Sequence, residues 1–204
     1  MNKGDLSIKN ERDKIFHQIV KNENLCIKNE EILDFGCGEG FVLNLFNNWG
    51  VKSNLLIGVD ISKKRIDLAK SKFPQLRFIK ISKDLPFENN KFSLIIISTV
   101  FSSIINEKYR AYWASELDRV LKPNGSILFY DMKINNPFNR KTKKVTMSEL
   151  ATLFKGYEIK INSLTVWPHL ARFLSIISRR FYPLLTKIKL LHTHFVAVLI
   201  KKNI

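Results

Sequence analysis

The sequence predicts an α/β protein with a doubly wound, largely parallel sheet and helices on both faces. Three observations predict it. Short apolar runs alternate with stretches of helical periodicity along most of the 204 residues, the pattern that builds a parallel sheet. One run, Ile32-Leu33-Asp34-Phe35, leads straight into Gly36-Cys37-Gly38-Glu39-Gly40 and then a helical pattern. A second run ends on an acid, Asp60, 22 residues beyond Gly38. A sheet of this class brings the end of its second strand beside the first glycine loop.

The elements follow in order. Residues 9–22 read as an amphipathic helix with Ile15, Ile19 and Val20 inward. The first strand and its helix, 41–49, come next, and Gly50 ends the helix. A second strand covers 54–60, and Ser62 caps a helix running to residue 72. Pro74 punctuates, and a short third strand covers 76–81. The fourth, 92–98, is dense in isoleucine and expected to be buried on both faces. A helix over 107–122, a fifth strand over 126–132 and a polar, basic loop over 133–145 follow. A helix over 148–154, a sixth strand over 157–164 and a seventh over 194–201 complete the pattern.

About thirty residues separate the last two strands, more than such a connection needs. Trp167-Pro168-His169 opens this segment, and Leu170, Phe173, Leu174, Ile177 and Phe181 recur at helical spacing. Arg172 and Arg179 fall on another face, and Lys187 and Lys189 continue it. Residues 167–191 are therefore expected to form an amphipathic helical insertion. It reads as a cap on the sheet edge or as a basic lid over an acceptor site, in contact with an anionic membrane surface, and the two readings are compatible.

Composition bounds the class. One domain over 1–204 is expected: an N-terminal helix within 1–28, a core over 29–131 and a basic part over 132–204. The formal net charge is +16. From Lys133 onward, 14 Lys/Arg face two acids, Glu149 and Glu158, so that part carries +12. Such asymmetry points to an anionic partner: nucleic acid, anionic lipid or an anionic metabolite. Two cysteines make no disulfide framework, which fits a reducing cytoplasm. The N-terminus is polar and mixed in charge, without a signal-peptide pattern. The longest apolar runs, 94–97 and 195–200, are too short to span a bilayer.

Glycine lacks Cβ, so the 36–40 loop lets backbone approach a ligand, and the helix behind it offers unpaired N–H groups. The spacing Gly36-x-Gly38-x-Gly40, with Asp34 upstream, is not the G-x-G-x-x-G of dinucleotide folds, and no phosphate-loop Lys-Ser/Thr follows. It resembles the cofactor loop of the class I S-adenosylmethionine-dependent methyltransferases. Two later segments are similar to that family as well. Lys83-Asp84-Leu85-Pro86-Phe87 through Ile95 resembles its adenine-side loop and fourth strand. Glu116 through Lys122-Pro123-Asn124-Gly125-Ser126 resembles its helix-to-strand turn. Three positions depart from the family pattern. Ile81 stands where many members carry an adenine-loop acid, Ser93 where an aspartate follows the phenylalanine, and Asn124 where the turn has a glycine.

The resemblance implies a Rossmann-like, seven-stranded mixed sheet whose last strand is antiparallel and inserted between the fifth and sixth. It implies S-adenosyl-L-methionine as cofactor, with Asp34, Gly36, Cys37, Gly38 and Gly40 at its methionine part and Asp60 and Ile61 at its ribose. Asp84, Leu85, Ser98 and Phe101 are then the remaining cofactor-side candidates. The tail, including Tyr130-Asp131 and His192-Thr193-His194, is also similar to a bacterial subgroup encoded among surface-polysaccharide genes. That likeness implies a small-molecule or glycan acceptor.

A sugar hydroxyl would need its proton removed as the methyl bond forms, work suited to a neutral histidine. The candidates for that base are His194, His169 and Asp131. His194 and Asp131 also have plain structural explanations, a strand histidine bonded to backbone and a carboxylate bonded to loop amides. Cys37 reads as a small packing residue rather than a nucleophile. No metal-ligand spacing is present, since His192-x-His194 supplies only two ligands. RNA as acceptor, and a non-catalytic membrane-associated role on the same fold, are the alternatives that the basic tail motivates. Localisation is expected in the cytoplasm, with peripheral contact at the inner face of the membrane.

Overall fold

Apolar runs bounded by polar turns assemble the sheet in a computed structural model that describes residues 3–23, 25, 27–135, 139, 141–166 and 192–202. The strands are β1 (Ile32–Phe35), β2 (Leu56–Asp60), β3 (Arg77–Lys80), β4 (Phe92–Ser98), β5 (Leu121–Met132), β6 (Tyr157–Val166) and β7 (His192–Lys201). The helices are α1 (Lys3–Asn22), α2 (Phe41–Asn48), α3 (Lys63–Lys72), α4 (Glu107–Val120) and α5 (Met147–Leu153). The seven strands form one sheet in the order β3-β2-β1-β4-β5-β7-β6. The first five pair in parallel, and β7 pairs antiparallel with both β5 and β6. This is the expected mixed sheet.

Strand periodicity sorts the core onto two faces. Leu33, Phe35, Ile95, Ile97 and Phe129 pack with Trp113, Leu117 and Leu150 of α4 and α5. Ile32, Ile96, Leu128 and Tyr130 pack with Phe16, Leu43 and Ile66 of α1, α2 and α3. The isoleucine-dense β4 is buried on both faces, Ile95, Ile96 and Ile97 being fully covered.

Capping sets several helix starts. The Ser62 side chain accepts from Arg65 N, as expected. Asn106 accepts from Lys108 and Tyr109 at the start of α4, and Thr146 accepts from Glu149 at the start of α5.

The differences from expectation lie at the ends of elements. Residues 53–55 form a 3₁₀ turn, so β2 begins at Leu56. The fifth strand begins at Leu121, not 126. Leu121 pairs with Phe92, and the register then jumps to Leu94–Ser126. Residues between loop out around Asn124, whose φ of 60° is one asparagine tolerates. Helix α1 extends back to Lys3, and β6 runs on to Val166. The expected insertion over 167–191, including His169, lies outside the described residues. No helix among the described residues is long and apolar enough to cross a membrane.

Candidate functional site

The carboxyl ends of the parallel strands carry the site, and backbone bonds hold its loop. The N–H groups of Gly36 and Cys37 both donate to Val59 O, at 2.8 and 2.9 Å, fastening the end of β1 to β2. Gly36 and Gly40 have φ of 72° and 81°. At Gly36 a Cβ would stand 2.4 Å from Val100 Cγ2, and at Gly40 it would stand 2.6 Å from Phe78 Cζ. Both positions therefore need glycine for space as well as for conformation.

Two buried carboxylates flank the loop, and their hydrogen bonding differs. Asp60 Oδ2 accepts from Gly38 N at 3.0 Å and Oδ1 from Ser62 N at 2.8 Å. Arg65 stands 3.9 Å away. Asp34 has no such complement. Gly40 offers no side-chain cap to α2, and the Leu43 N–H in its first turn acts on the Asp34 carboxyl, favouring its ionised form. One carboxyl oxygen, Oδ2, is buried with no hydrogen-bond partner, alone in this among the described residues. Burial pushes the Asp34 carboxyl up to about 7, against the pull of Arg12, with Asp60 adding to the rise and the Leu43 N–H opposing it. A buried acceptor without a donor is costly and needs an explanation. Here Asp34 lines a cavity of about 310 Å³, so a cationic ligand group can complete it.

Of the cofactor-side candidates, the cavity is lined by Asp34, Gly36, Cys37, Gly38, Asp60, Ile61 and Ser98. Gly40, Asp84, Leu85 and Phe101 do not line it. Gly40 starts α2 behind the loop. The Asp84 carboxylate accepts from Tyr112 Oη at 3.1 Å, and the Leu85 side chain is buried in the core. Phe101 sits on a 3₁₀ turn with its ring packed 5.4 Å from that of Phe129 and 6.3 Å from that of Phe154. Cys37 is buried, and desolvation raises its thiol pKa far above the usual range, so its sulfur stays protonated.

Neither described base candidate lines the cavity. Asp131 is fully buried; Oδ2 accepts from Ser102 N at 3.1 Å and Oδ1 from Met132 N at 2.8 Å. Burial raises its pKa, while these donors pull it down. The His194 ring stacks 5.1 Å from that of Tyr130, and its Nδ1 lies 2.9 Å from Thr193 Oγ1. Burial holds the imidazole down to about 4.

Sequence reasoning missed several lining residues. Lys9 and Arg12 reach the cavity from α1. The signal was present: positions 9 and 12 share a helical stripe with Phe16 and Ile19, so two cations stand on an apolar face. Ile81 lines the cavity with Trp113 and Ile104, giving that side an apolar wall where the acid is missing. Thr99, also lining, has φ of 57°. Among the described residues, the other non-glycine residues at positive φ are Asn29, Asn90 and Asn124. A β-branched residue there is strained, and such strain gathers at functional sites.

Arg119 explains why two of the resembling segments belong together. It donates to Phe87 O, Leu85 O and Asn89 Oδ1, and pairs with Glu116, whose Oε2 accepts from Leu85 N. The loop over 83–89 is thereby clamped to α4. Arg110, wholly buried, ties Ile104 O to Lys143 O, Lys144 O and Glu149. It links one wall of the cavity to the loop after β5. Among the described residues no cluster of His, Cys, Asp and Glu suits a metal ion.

Comparison with known proteins agrees with this geometry. Residues 32–125 match the methyltransferase-domain family. The chain is 31% identical over 106 residues to the ubiquinone/menaquinone biosynthesis C-methyltransferase UbiE of Campylobacter jejuni, covering 50% of this chain and 44% of that protein. It is 28% identical over 126 residues to the sterol 4-C-methyltransferase strm-1 of Caenorhabditis elegans, covering 57% and 35%. The chain thus spans less than half the length of these two curated relatives. A crystal structure of a SAM-dependent methyltransferase from Archaeoglobus fulgidus superposes with a TM-score of 0.64 at 17% identity, covering 98% of this chain and 100% of that one. A glycine loop under a sheet of this order and an acid after β2 stand beside these likenesses: residues 32–125 match a methyltransferase-domain family, and the sheet has the fold of a solved SAM-dependent methyltransferase.

Proposed function

We propose that this chain transfers a methyl group from S-adenosylmethionine to a small-molecule acceptor with an apolar body. The observation that carries the reading is the unpartnered Asp34 Oδ2 on a cavity built by the glycine loop. The residues present fit the cofactor. Asp34 would accept from its ammonium group. Asp60, with lone pairs to spare beyond its two backbone donors, would accept from the ribose hydroxyls. Ile81 and Trp113 offer apolar lining for a purine. The bound cofactor supplies an electrophilic methyl group on a sulfonium. The chain's own work is to position that methyl against the acceptor and exclude water.

The rim supports this acceptor class. Phe41 and Ile61 line the cavity yet are 47% and 68% exposed, and Ile105 is 53% exposed. The named relatives are a quinone-pathway and a sterol C-methyltransferase. His194 and Asp131 stand off the cavity lining, which suits an acceptor already nucleophilic at carbon. The basic loop after β5, with Lys133 and exposed Lys141, favours a second reading: a glycan hydroxyl on an anionic carrier, as in surface-polysaccharide synthesis.

Calorimetry with S-adenosylhomocysteine tests the donor half. Binding is expected, and Asp60→Ala is expected to weaken it. No binding by the intact chain would overturn the reading. Transfer of labelled methyl to a panel of quinols, sterols and phosphate-linked sugars tests the acceptor half. Label on the sugars alone would favour the second reading.

A further inference from the structure

The family match begins at residue 32, but the cavity it encloses does not close with those residues. Helix α1 supplies Lys9 and Arg12 to the lining. The Lys9 ammonium lies 4.9 Å from the centre of the Phe41 ring, a cation–π contact that already engages it. Arg12 is different. Its side chain is only 12% exposed. Nε and Nη2 both donate to one oxygen, Asp13 Oδ1, at 2.9 and 2.6 Å, and Nη1 reaches Ser98 Oγ at only 3.4 Å.

That arrangement underuses a guanidinium. The fork matches the two oxygens of a carboxylate, one per N–H. Here two N–H groups converge on a single oxygen of the adjacent residue, and neighbours in sequence do not face each other along a helix. Asp13 is a makeshift partner, 30% exposed beside a nearly covered cation. Arg12 also acts electrostatically on Asp34, the carboxylate with an unpartnered oxygen on the same cavity. One fork-shaped cation and one orphaned anion on one cavity make a receptor for a zwitterion.

We propose that Arg12 binds the α-carboxylate of the cofactor's methionyl group, with Asp13 holding its place when the ligand is absent. Asp34 takes the ammonium of the same group. The inference rests on the methyltransferase reading and extends it to a segment outside the family match.

The test compares two probes by calorimetry. S-adenosylhomocysteine carries the amino-acid group, whereas 5′-methylthioadenosine shares the nucleoside and lacks it. Arg12→Gln is expected to weaken S-adenosylhomocysteine by about ten- to a hundredfold. Methylthioadenosine should stay within roughly threefold, since no charged hydrogen bond is lost. Arg12→Lys keeps the charge but not the fork and should fall between. Asp13→Ala removes the competing partner and should tighten S-adenosylhomocysteine, a gain that misfolding cannot mimic. Equal losses for both probes, or an unchanged affinity for S-adenosylhomocysteine, would overturn the proposal while leaving the methyltransferase reading standing. Wild-type protein that binds neither probe would overturn both.

Discussion

Asp34 and Asp131 occupy comparable places at the ends of β1 and β5, and both are essentially inaccessible, at 1% and 0% exposure. Their partners differ. Both oxygens of Asp131 accept backbone N–H groups, so its bonding is closed by the chain itself. One oxygen of Asp34 accepts nothing and the residue borders a cavity. Burial alone therefore does not mark a functional carboxylate. The partner count separates a side chain that organises loops from one that awaits a ligand.

The largest expected effect is on the ligand side of this contrast. Asp34→Asn should weaken S-adenosylhomocysteine by on the order of a hundredfold, about 2–3 kcal/mol for a lost charged hydrogen bond. The same change should leave the melting temperature of the free protein at pH 8 equal or higher, because an uncompensated buried charge is removed. Asp131→Asn should do the reverse. It should cost about 1–3 kcal/mol of stability and lower Tm by several degrees through the loss of a backbone acceptor. Cofactor affinity should change little. If Asp131→Asn kept its Tm and its cofactor affinity but lost methyl transfer, the distinction would break and Asp131 would return as a base.

The pH dependence sharpens the comparison next. A free-protein Asp34 pKa of about 7 means that much of this carboxyl is protonated at pH 6. An ammonium ligand needs the ionised form, so S-adenosylhomocysteine affinity should rise between pH 6 and 8. The limiting slope is about tenfold per pH unit below the pKa. Asp34→Asn should flatten that rise. Linkage gives the opposite sign for the free protein. Its Asp34 contribution to stability is full below the unfolded-state pKa and is lost as pH rises through about 7. Melting curves of wild type and Asp34→Asn across that window should converge at low pH.

Two smaller effects complete the set. Thr99→Gly relieves a left-handed backbone and should raise Tm by about 1–3 °C, a gain of roughly 1 kcal/mol less the entropy of glycine. Replacing His194 with Gln should leave the affinity profile between pH 6 and 8 unchanged, because an imidazole held near 4 is neutral throughout. A profile that shifted with His194 would return it to the site.

Much of the sheet was legible because period-two apolar runs and caps are local signals. Strand β4 at 92–98 and the Ser62 cap are examples. Residues whose role depends on long-range packing were not. Phe101 follows a strand end that faces the cavity, yet its 3₁₀ turn directs the ring to Phe129 and Phe154. Leu121 joins β5 through a register jump that no local pattern encodes. Arg12 was hidden for another reason. A cation on an apolar stripe looks like an imperfect helix until the cavity beneath it is known. The Arg119 clamp likewise joins two segments whose sequence separation of about thirty residues hides their contact.

The position of β7 has a consequence for how the chain acquires its shape. In sequence β6 comes first, but in space β7 lies between β5 and β6. Until residues 192–201 arrive, β6 has no neighbour to join, and β5 presents a bare edge of unpaired amides and carbonyls. On the ribosome, the half that forms the cofactor cradle can be complete while its edge stays open. A chain interrupted before β7 would offer that edge to other chains as a template for aggregation.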